Sequence, residues 1–161
     1  MDTQYVTAEL CGGKSGVSFP NSPLPEMDPF RPPTRRRTVL VVEDDAPLRE
    51  FYQRTLALAG YVVVAVEDGI DALRRIDAGL VPSAVVLDLG LPRLNGFDVE
   101  SELRSRADTG MIPIIVVTGI NDPRGFSDHQ FSCVLQKPVA PEAIIYALEE
   151  YLRQSAPSSL V

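Results

Sequence analysis

The sequence predicts a doubly wound α/β domain around a five-stranded parallel sheet of flavodoxin-like order 2-1-3-4-5. Three observations predict it. From Thr38 onward, short β-branched runs alternate with stretches of helical spacing. One run, Ser83 to Leu87, is almost wholly apolar and ends abruptly on Asp88. Glu43-Asp44-Asp45, Asp88 and Thr118 each follow the end of a different expected strand. Apolar residues at successive rather than alternate positions suit a strand covered on both faces, as in a parallel sheet flanked by helices. Such sheets bind their ligands just beyond the carboxyl ends of the strands.

Residues 1–37 hold Pro20, Pro23, Pro25, Pro29, Pro32 and Pro33 and no sustained periodicity, so a disordered tail is expected there. Such a stretch cannot bury enough apolar area to offset its ordering entropy. Within it, Ala8 to Ser15 resembles a relaxed phosphate-binding loop. That motif requires a preceding strand and a following helix, which Gly16 to Pro20 does not begin, so it is set aside. Arg35-Arg36-Arg37 reads as a solvated boundary.

The expected folded unit is 38–153. Thr38 to Val42 and Tyr61 to Val66 read as strands around a helix from Ala46 to Ala59, with Asp45 as its cap, Pro47 in its first turn and Gly60 at its end. A second helix, Asp68 to Ala78, places Ile70, Leu73 and Ile76 on one face. A third, more polar helix spans Gly96 to Ala107, and Ile112 to Val117 and Cys133 to Leu135 read as strands. The last helix, Pro141 to Arg153, docks Ile144, Ile145, Leu148, Tyr151 and Leu152 on the sheet. Right-handed crossovers then cover both faces. Between Thr118 and Lys137, the breakers in Gly119 to Phe126 predict a curtailed or displaced helix, and His129 reads as a surface loop residue.

At 161 residues and 45% hydrophobic content the chain has room for one core, and a net charge of -7 argues against direct nucleic-acid binding or an anionic membrane surface. Cys11 lies in a polar stretch and Cys133 in an apolar run, a distribution that fits a reducing compartment. With no run of spanning length and no basic-then-apolar leader, the expectation is a cytoplasmic protein without membrane insertion. The expected tail 154–161 is too short to be an output domain itself, so the expectation is a stand-alone regulator, a relay intermediate or a fragment of a longer chain.

The carboxylates that converge on one rim repel each other unless a cation sits among them. Hard oxygen donors of this number suit Mg²⁺, which uses one or two carboxylates and keeps several waters. Lys137 follows the fifth strand and adds positive charge for an anion. Asp88 can take a phosphoryl group as a carboxylate nucleophile, with Thr118 donating its hydroxyl to a phosphoryl oxygen.

From Thr38 to Arg153 the chain resembles the receiver domain of two-component response regulators. The likeness runs in order through Val41 to Asp45, Leu87 to Pro92, Asn95-Gly96, Val116 to Gly119 and Lys137-Pro138. It implies that Glu43 and Asp44 are the metal-binding acidic pair, Asp88 the phosphoacceptor, Gly90 a metal ligand through its backbone carbonyl, Thr118 the switch hydroxyl and Lys137 the phosphate-binding lysine. It also implies a cis bond between Lys137 and Pro138, a sensor histidine kinase or histidine phosphotransfer protein as donor, and a downstream protein target. Such a protein is a signalling phosphoacceptor rather than an enzyme, and it assists its own phosphorylation and dephosphorylation. One departure is Val134, which stands where the family often has an aromatic residue three before the lysine.

Other readings fit less well. A haloacid-dehalogenase-like phosphatase needs a second acid two residues after Asp88, where Gly90 stands. A flavodoxin-like carrier needs a phosphate loop after the first strand, where Glu43-Asp44-Asp45 would repel the anion. The remaining alternative is a receiver-shaped interaction module that no longer depends on phosphorylation.

Overall fold

The computed structural model describes residues 37–120 and 128–155. The expected N-terminal tail up to residue 36, segment 121–127 of the breaker-rich stretch and residues 156–161 lie outside the described residues. Five strands form one parallel sheet in the order β2-β1-β3-β4-β5: β1 (Thr38–Val42), β2 (Val62–Val66), β3 (Ala84–Leu87), β4 (Ile114–Thr118) and β5 (Cys133–Gln136). Among the described residues four helices accompany them, α1 (Ala46–Leu58), α2 (Gly69–Asp77), α3 (Gly96–Ser105) and α4 (Pro141–Gln154).

Helix starts follow the side chains that satisfy their first amides. Asp45 Oδ1 accepts from Leu48 N at 2.8 Å, Asp68 Oδ1 from Asp71 N at 2.9 Å and Asn95 Oδ1 from Asp98 N at 2.9 Å. Gly60 and Gly79 take positive φ just past α1 and α2, the conformation that ends a helix without a Cβ clash. Helix α3 stops at Ser105, short of Ala107, because Arg106 turns extended. Strand β2 starts at Val62 and β4 at Ile114, each later than the apolar runs alone predict.

The central strands β3 and β4 are buried at every position, and their successive residues divide between two cores. Val39, Val41, Val86, Ile115 and Val117 point to α1 and α4, where Leu56, Ile144, Leu148 and Leu152 meet them. Leu40, Val42, Val85, Leu87, Ile114 and Val116 face Ala72, Ile76, Val99 and Leu103 of α2 and α3. The unbroken apolar runs thus reflect a sheet covered on both sides.

Burial pushes the Tyr61 and Tyr52 hydroxyls up to about 12. Above pH 10 the unfolded chain loses these protons while the folded chain keeps them, so stability falls as pH rises from 10 towards 12. The loss is on the order of 2 kcal/mol per tyrosine. Tyr61→Phe is expected to flatten this decline, measured as urea midpoints at pH 9 and pH 11.5. Equal declines in both proteins would contradict the assignment.

Candidate functional site

The ends of β1, β3, β4 and β5 bring the candidate residues together at the carboxyl edge of the sheet. Strand β1 ends under Glu43, whose amide bonds Val66 O at 3.2 Å, and β3 ends under Asp88, whose amide bonds Val42 O at 3.0 Å. These bonds carry the sheet ladder one step past the strands and fix both carboxylates on neighbouring rungs. Glu43 and Asp88 are buried, at 2% and 8% exposure, while Asp44 is exposed at the rim. Carboxylate oxygens of Glu43, Asp44 and Asp88 lie within 4.8 Å of one another, close enough for one cation.

Lys137 reaches into this cluster from the loop after β5. Its Nζ donates to Glu43 Oε2 at 2.8 Å and to Asp88 Oδ2 at 2.7 Å. The Lys137 amide bonds Thr118 O at 2.9 Å, and the Lys137 to Pro138 bond is cis. Burial pushes the Glu43 carboxyl above its ordinary range even against the Lys137 hydrogen bond and charge. Burial alone would lower the Lys137 ammonium, but its bonds to Asp88 and Glu43 outweigh that and raise it. One ammonium therefore serves two buried carboxylates, with Asp44 adding further negative charge. This excess of anionic oxygen over local cation is what a hard divalent ion fits.

The other oxygen of Asp88, Oδ1, accepts from Gly90 N at 3.0 Å, which folds the loop back over the carboxylate. Leu87 pairs with Val116, so Thr118 stands one rung beyond the level of Asp88. Thr118 is buried, and its Oγ1 accepts from Ile120 N at 3.2 Å, which leaves the hydroxyl hydrogen to be donated elsewhere. Glu43, Asp44, Asp88 and Lys137 are thus brought together, with Gly90 and Thr118 flanking them. Asp45 caps α1, and its amide also reaches Glu43 Oε1 at 3.3 Å.

Several residues escaped the sequence reading. Arg49 donates to Glu43 O at 2.8 Å and Asp44 O at 3.1 Å, pinning the backbone that carries the acidic pair. Its spacing of four from Asp45, back towards the loop, was the available signal. His129 is no simple surface residue: its Nδ1 lies 2.7 Å from Oε2 of buried Glu100, and its ring stacks on Phe131 at 5.5 Å. Glu100 also accepts from Gln130 N at 3.0 Å, while Arg104 donates to Gly110 O at 2.9 Å and Ile112 O at 2.8 Å. This knot of side chains ties α3 to both connections that flank β4. Val134 is half-buried against the α2/α3 core beside Phe131.

Buried acids, a lysine and a buried threonine thus gather at the carboxyl edge of a parallel α/β sheet, and the three clustered carboxylates could hold a metal ion. The chain belongs to the response regulator receiver domain family, whose model matches residues 39–149. It is 38% identical over 122 residues to the response regulator MprA of Mycobacterium sp. strain KMS, covering 74% of this chain and 52% of that protein. The chain thus spans about half the length of the curated relatives it matches. Among solved structures it is similar to the chemotaxis protein CheY4 of Vibrio cholerae, with TM-score 0.68 and 25% identity over 73% of this chain and 99% of that one. It is also similar to the receiver domain of the sensor histidine kinase PA1611 from Pseudomonas aeruginosa PAO1, with TM-score 0.63 and 27% identity over 74% of this chain and 99% of that one. That receiver domain has a magnesium ion coordinated in its active site cleft. Among the described residues no helix is long and apolar enough to cross a membrane.

Proposed function

We propose that this receiver domain takes a phosphoryl group onto Asp88, from a sensor histidine kinase or histidine phosphotransfer protein, and signals by contact with a downstream protein. The observation that carries the reading is the convergence of Lys137 Nζ on Asp88 and Glu43 within a cluster of three carboxylates. Glu43, Asp44, Asp88 and the carbonyl of Gly90 would hold Mg²⁺, which supplies charge neutralisation for the incoming phosphoryl oxygens. A carboxylate oxygen of Asp88 attacks phosphorus, an O–P bond forms, and the P–N bond to the donor imidazole breaks with its electron pair passing to nitrogen. Lys137 exchanges carboxylate partners for a phosphoryl oxygen, and Thr118 donates its hydroxyl hydrogen to another. Residues 38–153 form the signalling unit in this reading, flanked by tails at 1–37 and 154–161, and the setting is cytoplasmic.

The second reading, an interaction module independent of phosphorylation, is favoured only by Val134, which provides no ring to report a movement of Thr118. Beryllofluoride, a phosphoryl mimic, separates the two. Binding is expected to require Mg²⁺ and to fail in Asp44→Asn, which removes one of the clustered carboxylates. Mg²⁺ alone should raise the melting temperature of the unaltered protein, since it binds the native cluster and scarcely the unfolded chain. Binding of beryllofluoride without Mg²⁺, or none under any condition, overturns the phosphoacceptor reading.

A further inference from the structure

The loop after Asp88 is held from a side that the phosphoacceptor chemistry does not use. Arg93 stands at its turn with φ 63, a left-handed conformation that costs a side-chain-bearing residue about 1–2 kcal/mol. Glycine would occupy that position with less strain, so an arginine there needs a partner. Its guanidinium pairs with Oδ2 of Asp68. Asp68 is buried at 2% exposure and already spends Oδ1 on capping α2 through Asp71 N. One carboxylate therefore binds the start of α2 and the turn of the phosphoacceptor loop together. Close packing follows the same line: a Cβ on Gly69, next to Asp68, would lie 2.7 Å from Leu94 O and 2.4 Å from Val99 Cγ2. Within the loop, Gly90 N bonds Asp88 Oδ1, Leu94 N bonds Pro92 O at 2.7 Å and Gly96 N bonds Leu89 O at 3.1 Å.

We propose that Arg93 and Asp68 are positioning residues: a latch that holds residues 89–95 so that Asp88 and the Gly90 carbonyl keep one geometry towards the cation. The inference rests on the phosphoacceptor reading above. An exposed ion pair would be worth little, but here removing the arginine leaves a buried carboxylate with one partner fewer, and the loop loses its tie to α2.

Two variants test it. Arg93→Asn tolerates left-handed backbone but is too short to reach Asp68, and Asp68→Asn keeps the capping oxygen while losing the charge. In both, amide exchange at Gly90, Leu94 and Gly96 should rise about tenfold, while Ile115 and Val117 in β4 stay as protected as before. The Mg²⁺ concentration for half-maximal labelling by acetyl phosphate should rise about fivefold, with the rate at saturating Mg²⁺ unchanged. A merely structural role would lower the melting temperature without that split. Unchanged loop exchange in both variants overturns the latch, whatever labelling does. A loosened loop with unchanged Mg²⁺ dependence overturns its positioning role. If the unaltered protein takes no label at all, the phosphoacceptor reading falls, and loop exchange still decides whether the latch exists.

Discussion

Asp88→Asn is expected to abolish Mg²⁺-dependent, acid-labile labelling by acetyl phosphate while leaving the fold intact. The amide has the shape of the carboxylate, and its oxygen can still accept from Gly90 N, which Oδ1 of Asp88 does at 3.0 Å. It lacks the anionic oxygen that must attack phosphorus, so the loss should be complete to within about 1% of the original rate. Stability should move little, because two effects oppose each other. Lys137 loses its charged partner at 2.7 Å, where the amide NH2 accepts nothing and the ammonium must turn aside, but it keeps Glu43 at 2.8 Å, while Glu43 loses the repulsion of a neighbouring charge that helps push its carboxyl upward. We expect the net change to stay within about 1 kcal/mol without Mg²⁺, read by urea unfolding. Labelling undiminished in the variant would place the phosphoacceptor elsewhere.

Much of this site was legible because its parts lie at strand ends. A buried strand announces itself by an unbroken apolar run, and the first carboxylate after it must sit at the rim. Glu43 and Asp88 follow from that logic, the sheet order from the alternation of strands and helices that marks a doubly wound domain, and Asp45 from cap chemistry. What escaped depends on contacts between segments distant in sequence. Nothing local marks Asp68 as the partner of Arg93, since the fold alone brings the two loops together. His129 does lie in the loop expected from the breaker-rich stretch, but Glu100, 29 positions earlier, provides a buried carboxylate for its ring, which no local signal marks. Strand ends were also misplaced by a residue or two. Tyr61 belongs to the β-branched run before β2, but its amide bonds Leu56 O at 3.1 Å and so finishes the turn out of α1 instead.

Gly96→Ala is expected to destabilise the protein by about 2–4 kcal/mol and to weaken its response to Mg²⁺ together. Gly96 is the first residue of α3, and alanine in place of a helical glycine ordinarily gains at most about 1 kcal/mol. Here the space decides the sign. A Cβ on Gly96 would lie 2.4 Å from Asp88 O, 2.7 Å from Leu89 Cα and 2.9 Å from Leu89 Cδ2. The first two are backbone atoms and cannot rotate aside, while carbon contacts are comfortable only near ~3.5–4.0 Å. The start of α3 or the loop at Asp88 must therefore shift by about 1 Å, and a carboxylate displaced that far no longer meets the cation as its partners do. Gly79→Ala provides the contrast. Gly79 has φ 97 and no atom within 4 Å of the added carbon, so its substitution costs about 1 kcal/mol through backbone strain alone and should leave the Mg²⁺ response untouched. Urea midpoints with and without excess Mg²⁺ give both quantities for both variants. If Gly96→Ala is as stable as the unaltered protein and gains as much from Mg²⁺, the loop can yield to α3, and close approach at this glycine does not set the geometry of Asp88.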